Sequence, residues 1–296
     1  MKRKWWFYSL LPILFLGLLV TSCQDDIKKK EAYRKGKLVI ATDPSFLNLG
    51  TTLVEIFHEA YPEAQVTFKP EVEDLVIADF VNGKVTMAMV SRDLTPEEAK
   101  ILLNKTKIKY IPSQIACDAS VFVVSKESTI NQVSLSDIRT GITDSATKFI
   151  FDNGNSSNFN TVIRKSGVTI TKNHKIKALG DAEKVIDFVS KNKSHIGIIG
   201  LDILSDEDNP KVQELLSKIR ILPVINDKNK LVEPSVPNLR EGKYPFTKRI
   251  YLLNAEADFL VGSSFARFAG SQRGQLIVTK AGLQPYYLYE RRVEMH

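Results

Sequence analysis

The chain has 296 residues, 43% hydrophobic and 25% charged, with 41 Lys and Arg against 34 Asp and Glu and a net charge of +7. That composition belongs to a globular protein long enough for one large domain or two ordinary lobes, and it excludes a disordered or multi-span membrane chain. The positive excess is mild, with both signs interspersed; it leans toward an anionic ligand, and no basic run with interleaved aromatics points to nucleic acid.

In chain order, a basic start (Lys2, Arg3, Lys4) is followed by an apolar stretch from Trp5 to Val20 and by Thr21-Ser22-Cys23. This order is that of a secretory signal, and the apolar stretch is short for a membrane span, which needs ~20 residues. It looks like a bacterial lipobox. The expectation is a signal peptide over residues 1–22, lipidation at Cys23, and a chain lipid-anchored to a membrane of the bacterial cell envelope, in the periplasm or at the outer surface. An uncut signal anchor is the alternative. A polar segment, 23–36, reads as a tether with low packing capacity. With Cys23 lipidated, Cys117 stands alone in an apolar setting, which predicts a buried, inert thiol.

From Lys37 strands alternate with helices. Strands are expected at Leu38–Thr42, Gln65–Pro70 and Val85–Val90, and helices at Leu53–Ala60 and Asp74–Asn82. Thr95-Pro96-Glu97-Glu98 opens a further helix with an N-cap, Pro at the first position and acids in the first turn. Strands follow at Ala119–Ser125, Lys148–Phe151, Ile196–Gly200 and Ile219–Ile225, with a helix at Asp181–Lys191. Tyr244–Leu253 opens the last segment, whose helix around Phe259–Ala269 leads into Gly274–Lys280. The class is α/β with parallel character, and its length suits two lobes with a ligand cleft between them.

No metal-ligand spacing links the four histidines, and neither a nucleophile elbow nor a phosphate loop is present. Hence no catalytic residue, metal or cofactor is expected. What remains is a set of strand-end loops rich in donors. Thr42-Asp43-Pro44-Ser45-Phe46 follows the first strand, where open α/β sheets bind ligands. Ser91-Arg92 ends the third, and Arg offers a planar fork to an oxyanion. Phe151-Asp152-Asn153-Gly154-Asn155-Ser156-Ser157-Asn158 runs from a strand into a helix start, a ready anion site. Asp118 puts a carboxylate into an apolar strand and needs a partner. Each loop is equally readable as an ordinary cap or turn.

These pieces, in this order, resemble the substrate-binding proteins of bacterial phosphate ABC transporters, in a lipid-anchored branch. Further matching pieces are Arg92-Asp93-Leu94-Thr95, Ile196-Gly197-Ile198-Ile199-Gly200, Tyr244-Pro245-Phe246-Thr247-Lys248-Arg249-Ile250-Tyr251, and Gly274-Gln275 through Lys280-Ala281-Gly282 to Pro285. The resemblance covers about residues 38 to 285. It implies the two-lobed periplasmic-binding-protein fold (type II-like) with two crossings, lobe 1 being 37–117 plus 248–296 and lobe 2 being 118–247. It implies a monomer that binds inorganic phosphate or a similar oxyanion and passes it to an ABC permease. The implied anion ligands are Asp43, Ser45, Ser91, Arg92, Asp118, Ser156, Ser157 and Asn158. Asp43 or Asp118 is then expected to separate phosphate from sulfate, since only an anion still carrying a proton can donate to a carboxylate. The first loop departs from the family pattern: Pro44 removes a backbone donor. So does the third, where Asn158 stands for the usual Thr, and Ser134 to Thr147 lacks an expected Trp. A related receptor for a different small ligand is the alternative, and a phosphoester-acting enzyme a more distant one.

Overall fold

The computed structural model describes residues 31–144, 148–172 and 174–289. The signal segment and Cys23 lie outside the described residues.

The first βαβ units are β1 (Gly36–Thr42), α1 (Leu47–Ala60), β2 (Ala64–Pro70), α2 (Glu73–Val81) and β3 (Met87–Val90). Parallel pairing of β1 with both β2 and β3 places the C-terminal ends of β1 and β3 side by side. A 3-10 turn, Pro44–Phe46, joins β1 to α1, so α1 begins six residues before the apolar spacing announces it. Helix α1 buries Leu49, Leu53, Val54 and Phe57. The Phe57 ring meets Phe265 and Phe268 edge-on at 5.4 and 5.5 Å, and burying such a side chain contributes about 1.5–3 kcal/mol.

Next come α3 (Pro96–Thr106) and β4 (Ile111–Ser125). The strand expected at Ala119–Ser125 is thus the second half of a 15-residue strand. Pro112, Gln114 and Asp118 hide its first half, which is exposed at Ile111 and Pro112, turns buried from Gln114, and shows no clean alternation. The second part of the molecule contains β5 (Val133–Ser134), α4 (Leu135–Thr143), β6 (Phe149–Phe151), α5 (Ser157–Ser166), β7 (Lys177–Ala178), α6 (Ala182–Lys191) and β8 (Ile196–Gly200). It continues with α7 (Pro210–Lys218), β9 (Ile219–Leu222), β10 (Val224–Ile225), β11 (Leu231–Val232) and α8 (Val236–Arg240). The strand expected over Ile219–Ile225 is split at Pro223, which has no N–H for a ladder. The chain closes with β12 (Thr247–Asn254), α9 (Val261–Gly270), α10 (Gln272–Lys280) and β13 (Gln284–Pro285).

Among the described residues the main sheet runs β2-β1-β3-β12-β4-β8-β6-β7, with β9 and β13 also on β4. β12 is antiparallel to both neighbours, so the sheet is mixed. β4 spans the whole molecule. Its residues 111–119 pair with β12, and residues 120–125 pair with β8 and β9. The buried apolar side chains divide at the same point. One cluster draws only on residues 119–246; the other two draw on 38–116 and 250–283. The architecture is therefore α/β in two lobes, joined through β4 and the entry to β12. Within the range expected to be a tether, 23–36, the Tyr33 ring packs edge-on against Tyr61 and Phe259.

Candidate functional site

The ends of β1, β3 and β6 converge with the centre of β4 between the two lobes. Asp43, fully buried, lies at the middle of this junction. Its position follows from the local sequence: Asp43 caps the 3-10 turn, with Pro44 supplying the fixed φ of the first helical position, where no N–H is required. Carboxylate Oδ1 accepts from Ser45 N–H at 3.0 Å and from Ser157 Oγ at 3.1 Å. Oδ2 accepts from Glu73 N–H at 3.1 Å and from Ser157 N–H at 3.0 Å. Glu73 N–H opens α2 and Ser157 N–H opens α5, so donors from both lobes meet on one carboxylate group. Helix N-termini leave such N–H groups unpaired and carry the positive end of the dipole.

The third loop is tied down by hydrogen bonds. Ser156 caps α5, accepting from Phe159 N–H at 3.2 Å and donating to Asp152 Oδ1 at 2.8 Å. Asn158, fully buried, ties four elements together. Its amide nitrogen donates to Ser45 Oγ at 3.0 Å and to Asp152 Oδ2 at 2.7 Å. Its oxygen accepts from Ser120 Oγ at 3.1 Å and from Lys248 Nζ at 2.7 Å. Burial pushes the Asp152 carboxyl above its ordinary pKa, against the donors from Asn158 and Ser156.

Lys248 is the cation of the site, and the sequence reading did not select it. Its ammonium lies 2.9 Å from Asp118 Oδ2, 3.3 Å from Ser157 Oγ and 4.8 Å from the centre of the Phe46 ring. Neither Lys248 nor Asp118 exposes any side-chain surface. Burial alone would favour the neutral amine, but the attraction of Asp118, Asp202 and Asp43 holds its pKa above the ordinary lysine value. The signal that locates it is period two: Lys248, Ile250 and Leu252 are buried along β12 while Arg249 is exposed. Asp118 is therefore a partner of Lys248, and Asp118 Oδ1 also accepts Asp202 N–H at 3.2 Å. Asp202 is buried with neither carboxyl oxygen hydrogen-bonded. Burial, and then the nearby Asp118 charge, raise its pKa well above the ordinary value.

The second loop is arranged differently from its sequence expectation. Ser91 N–H donates to Glu73 Oε1 at 2.6 Å, and the buried Ser91 Oγ has no partner. Arg92 does not reach the junction. Its fork is taken by Glu98, at 2.8 Å through each nitrogen, and by the Asp93 carbonyl at 2.9 Å. Across the mouth, Asn160 donates to Glu73 at 3.3 Å and to Asp74 at 2.8 Å, and Asp74 N–H donates to the Asn155 carbonyl at 3.4 Å. Of the eight expected ligands, Asp43, Ser45, Asp118, Ser156, Ser157 and Asn158 form one network, Ser91 joins through Glu73, and Arg92 lies apart. A cavity of about 350 Å³ opens beside the network, bounded by Asp43, Ser45, Asp152, Ser156 and Asn158.

The remaining reactive side chains are used structurally. His58 accepts from Val66 N–H and His195 packs edge-on to Phe188. The half-buried Cys117 thiol is pushed up in pKa by burial. Among the described residues no cluster of metal-ligating side chains occurs, and no helix is long and apolar enough to cross a membrane.

Comparison with known proteins matches residues 28–273 to a family model described as the PBP superfamily domain. The chain is 23% identical over 269 residues to the phosphate-binding protein PstS of Staphylococcus haemolyticus, covering 83% of this chain and 78% of that protein. It is 24% identical over 200 residues to protein SphX of Synechococcus elongatus; that match covers 60% of this chain and only 56% of SphX. Among solved structures, a substrate-binding protein from Clostridium perfringens with bound phosphate superposes with a TM-score of 0.68 at 18% identity, covering 85% of this chain and all of that one.

Proposed function

The chain belongs to the PBP superfamily, and from that premise we propose that it is an extracytoplasmic receptor that closes two lobes around phosphate and delivers it to an ABC permease. Lobe 1 comprises 37–117 with 248–296, and lobe 2 comprises 118–247. In this reading Cys23 carries the lipid that keeps a monomeric receptor at the membrane surface. The observation that carries the proposal is the convergence of Ser45 N–H, Glu73 N–H, Ser157 N–H and Ser157 Oγ, from both lobes, on the two oxygens of one carboxylate. That is the donor arrangement an oxyanion requires, here met by the Asp43 side chain as stand-in. The phosphate-binding relative from Staphylococcus haemolyticus and the phosphate-bound structural neighbour support phosphate as the ion.

In this scheme Ser45, Ser156, Ser157 and Asn158 shape the seat, Ser91 Oγ supplies a free hydroxyl, and Lys248 supplies the countercharge. Asp118 keeps Lys248 charged and aimed. Titration calorimetry of the purified protein with phosphate and with sulfate tests the proposal. Phosphate heat at micromolar concentration with none for sulfate is the expected result; no phosphate heat removes the assignment.

One observation favours a second reading, a receptor for a small carboxylic acid: the group that fills the seat is itself a carboxylate. Thermal melting with phosphate and with short mono- and dicarboxylates separates the two, since a tight ligand raises the midpoint.

A further inference from the structure

We propose that Asp43 is a tethered competitor for the ligand, which closes the two lobes on itself and thereby sets how tightly a free oxyanion binds. The closure half of this inference stands on geometry alone; the competition half rests on the phosphate reading above.

The Asp43 carboxylate occupies donors of both lobes. All four of its hydrogen bonds use groups that an incoming anion needs. Two come from Ser157, which lies 114 residues away and begins the helix of the other lobe. The contact is therefore formed only when the lobes meet. Glu73 repeats the pattern on the second loop, where its carboxylate takes Ser91 N–H at 2.6 Å. Donors of all three strand-end loops are thus satisfied by the protein's own carboxylates.

This arrangement has two physical consequences. Closure of an ordinary two-lobed receptor is driven by a ligand that bridges the lobes, because the bridging donors otherwise face each other unpaired. Here the bridge is built in, so the closed form is stabilised without a ligand. Secondly, a carboxylate attached to the seat acts at an effective concentration on the order of millimolar or above, so a free anion must displace it. Its displacement exposes a negative charge next to a bound anion unless the anion donates a proton to it. Selectivity follows: an oxyanion that carries a proton at neutral pH can convert the displaced Asp43 from a repulsive neighbour into a hydrogen-bond acceptor, and a fully ionised one cannot.

The experiment compares wild type, Asp43→Ala and Asp43→Asn in phosphate-free buffer and with added phosphate. Small-angle scattering reads closure and calorimetry reads affinity. Wild type is expected to be compact without phosphate. Asp43→Ala is expected to have a larger radius of gyration, to contract on adding phosphate, and to bind phosphate at least ~10-fold tighter than wild type, because the competing closed population is gone. Asp43→Asn keeps the acceptor for Ser45 N–H but loses the charge, and should fall between the two; it carries the test if the alanine variant does not fold. A compact Asp43→Ala with unchanged phosphate affinity overturns the proposal while leaving the phosphate reading intact. An expanded Asp43→Ala in which no variant binds phosphate retains the latch and removes phosphate as the ligand.

Discussion

Asp118 and Lys248 form an ion pair with no side-chain exposure, at the point where the chain passes between lobes. Removing one partner of such a pair leaves an uncompensated buried charge and costs about 3–5 kcal/mol. Lys248→Met should therefore lower the urea midpoint sharply, and adding Asp118→Leu to it should recover most of the loss. A Lys248→Met midpoint close to wild type would show that water reaches the pair. Asp202, a few ångströms of backbone from Asp118, behaves in the opposite sense. Its folded pKa is raised above the ordinary value of 3.8, by burial first and the Asp118 charge second. Its contribution is thus fully present below that value and is lost as pH rises through the folded pKa. Asp202→Asn keeps the shape and removes the titration, so its stability relative to wild type should climb in urea titrations as pH rises above the ordinary value of 3.8 and through the raised folded pKa. Asp118 was legible as a carboxylate needing a partner, because an apolar strand cannot hold a lone charge. The partner was not legible, because pairing of β4 with β12 brings together residues that are remote in the chain.

At the scale of elements, α3 shows how fully a local rule can be read and how it can mislead about function. Thr95 accepts from Glu98 N–H, and Glu98 returns a bond to Thr95 N–H, the reciprocal cap that Thr95-Pro96-Glu97-Glu98 announces. The same Glu98 holds the Arg92 fork, so Arg92 locks the loop before the helix instead of reaching the seat. The hydrogen bond from Arg92, working against partial burial, keeps the Glu98 carboxyl below its ordinary pKa of 4.5. A depressed carboxylate stabilises the fold above its unfolded value and loses that contribution as pH falls through the lower, folded one. Acid unfolding should accordingly be shallower below about pH 4.5 in Glu98→Gln than in wild type, although Glu98→Gln starts from lower stability at neutral pH.

At the scale of the whole molecule, a single long strand and one crossing partner join two cores, and the proposed ligand groups sit where both lobes supply donors. The resemblance read from the sequence expects Arg92→Ala to remove several kcal/mol of anion binding. The geometry of the guanidinium argues for a different outcome. With the fork held by Glu98, Arg92→Ala should leave the phosphate dissociation constant within about twofold while costing on the order of 1 kcal/mol of stability, for the loss of a partly exposed pair. A loss of affinity of a hundredfold in calorimetry would place the guanidinium on the ion.

The sequence by itself determined the α/β class, the helix caps and the three donor loops at strand ends, because each depends on residues within a few positions of one another. Periodicity marks a strand, an Asp-Pro-Ser or Ser-Ser-Asn marks a turn into a helix, and an apolar strand with Asp118 marks a buried charge. Only the tertiary structure decided what those donors do. Asp43 and Ser157 become partners where the two lobes meet, Lys248 becomes the cation through strand pairing, and Arg92 is held by Glu98, six residues further on. The first two outcomes depend on which remote groups share a space of a few ångströms, and no spacing along the chain encodes that; the third depends on how the side chains turn, which the spacing alone leaves open.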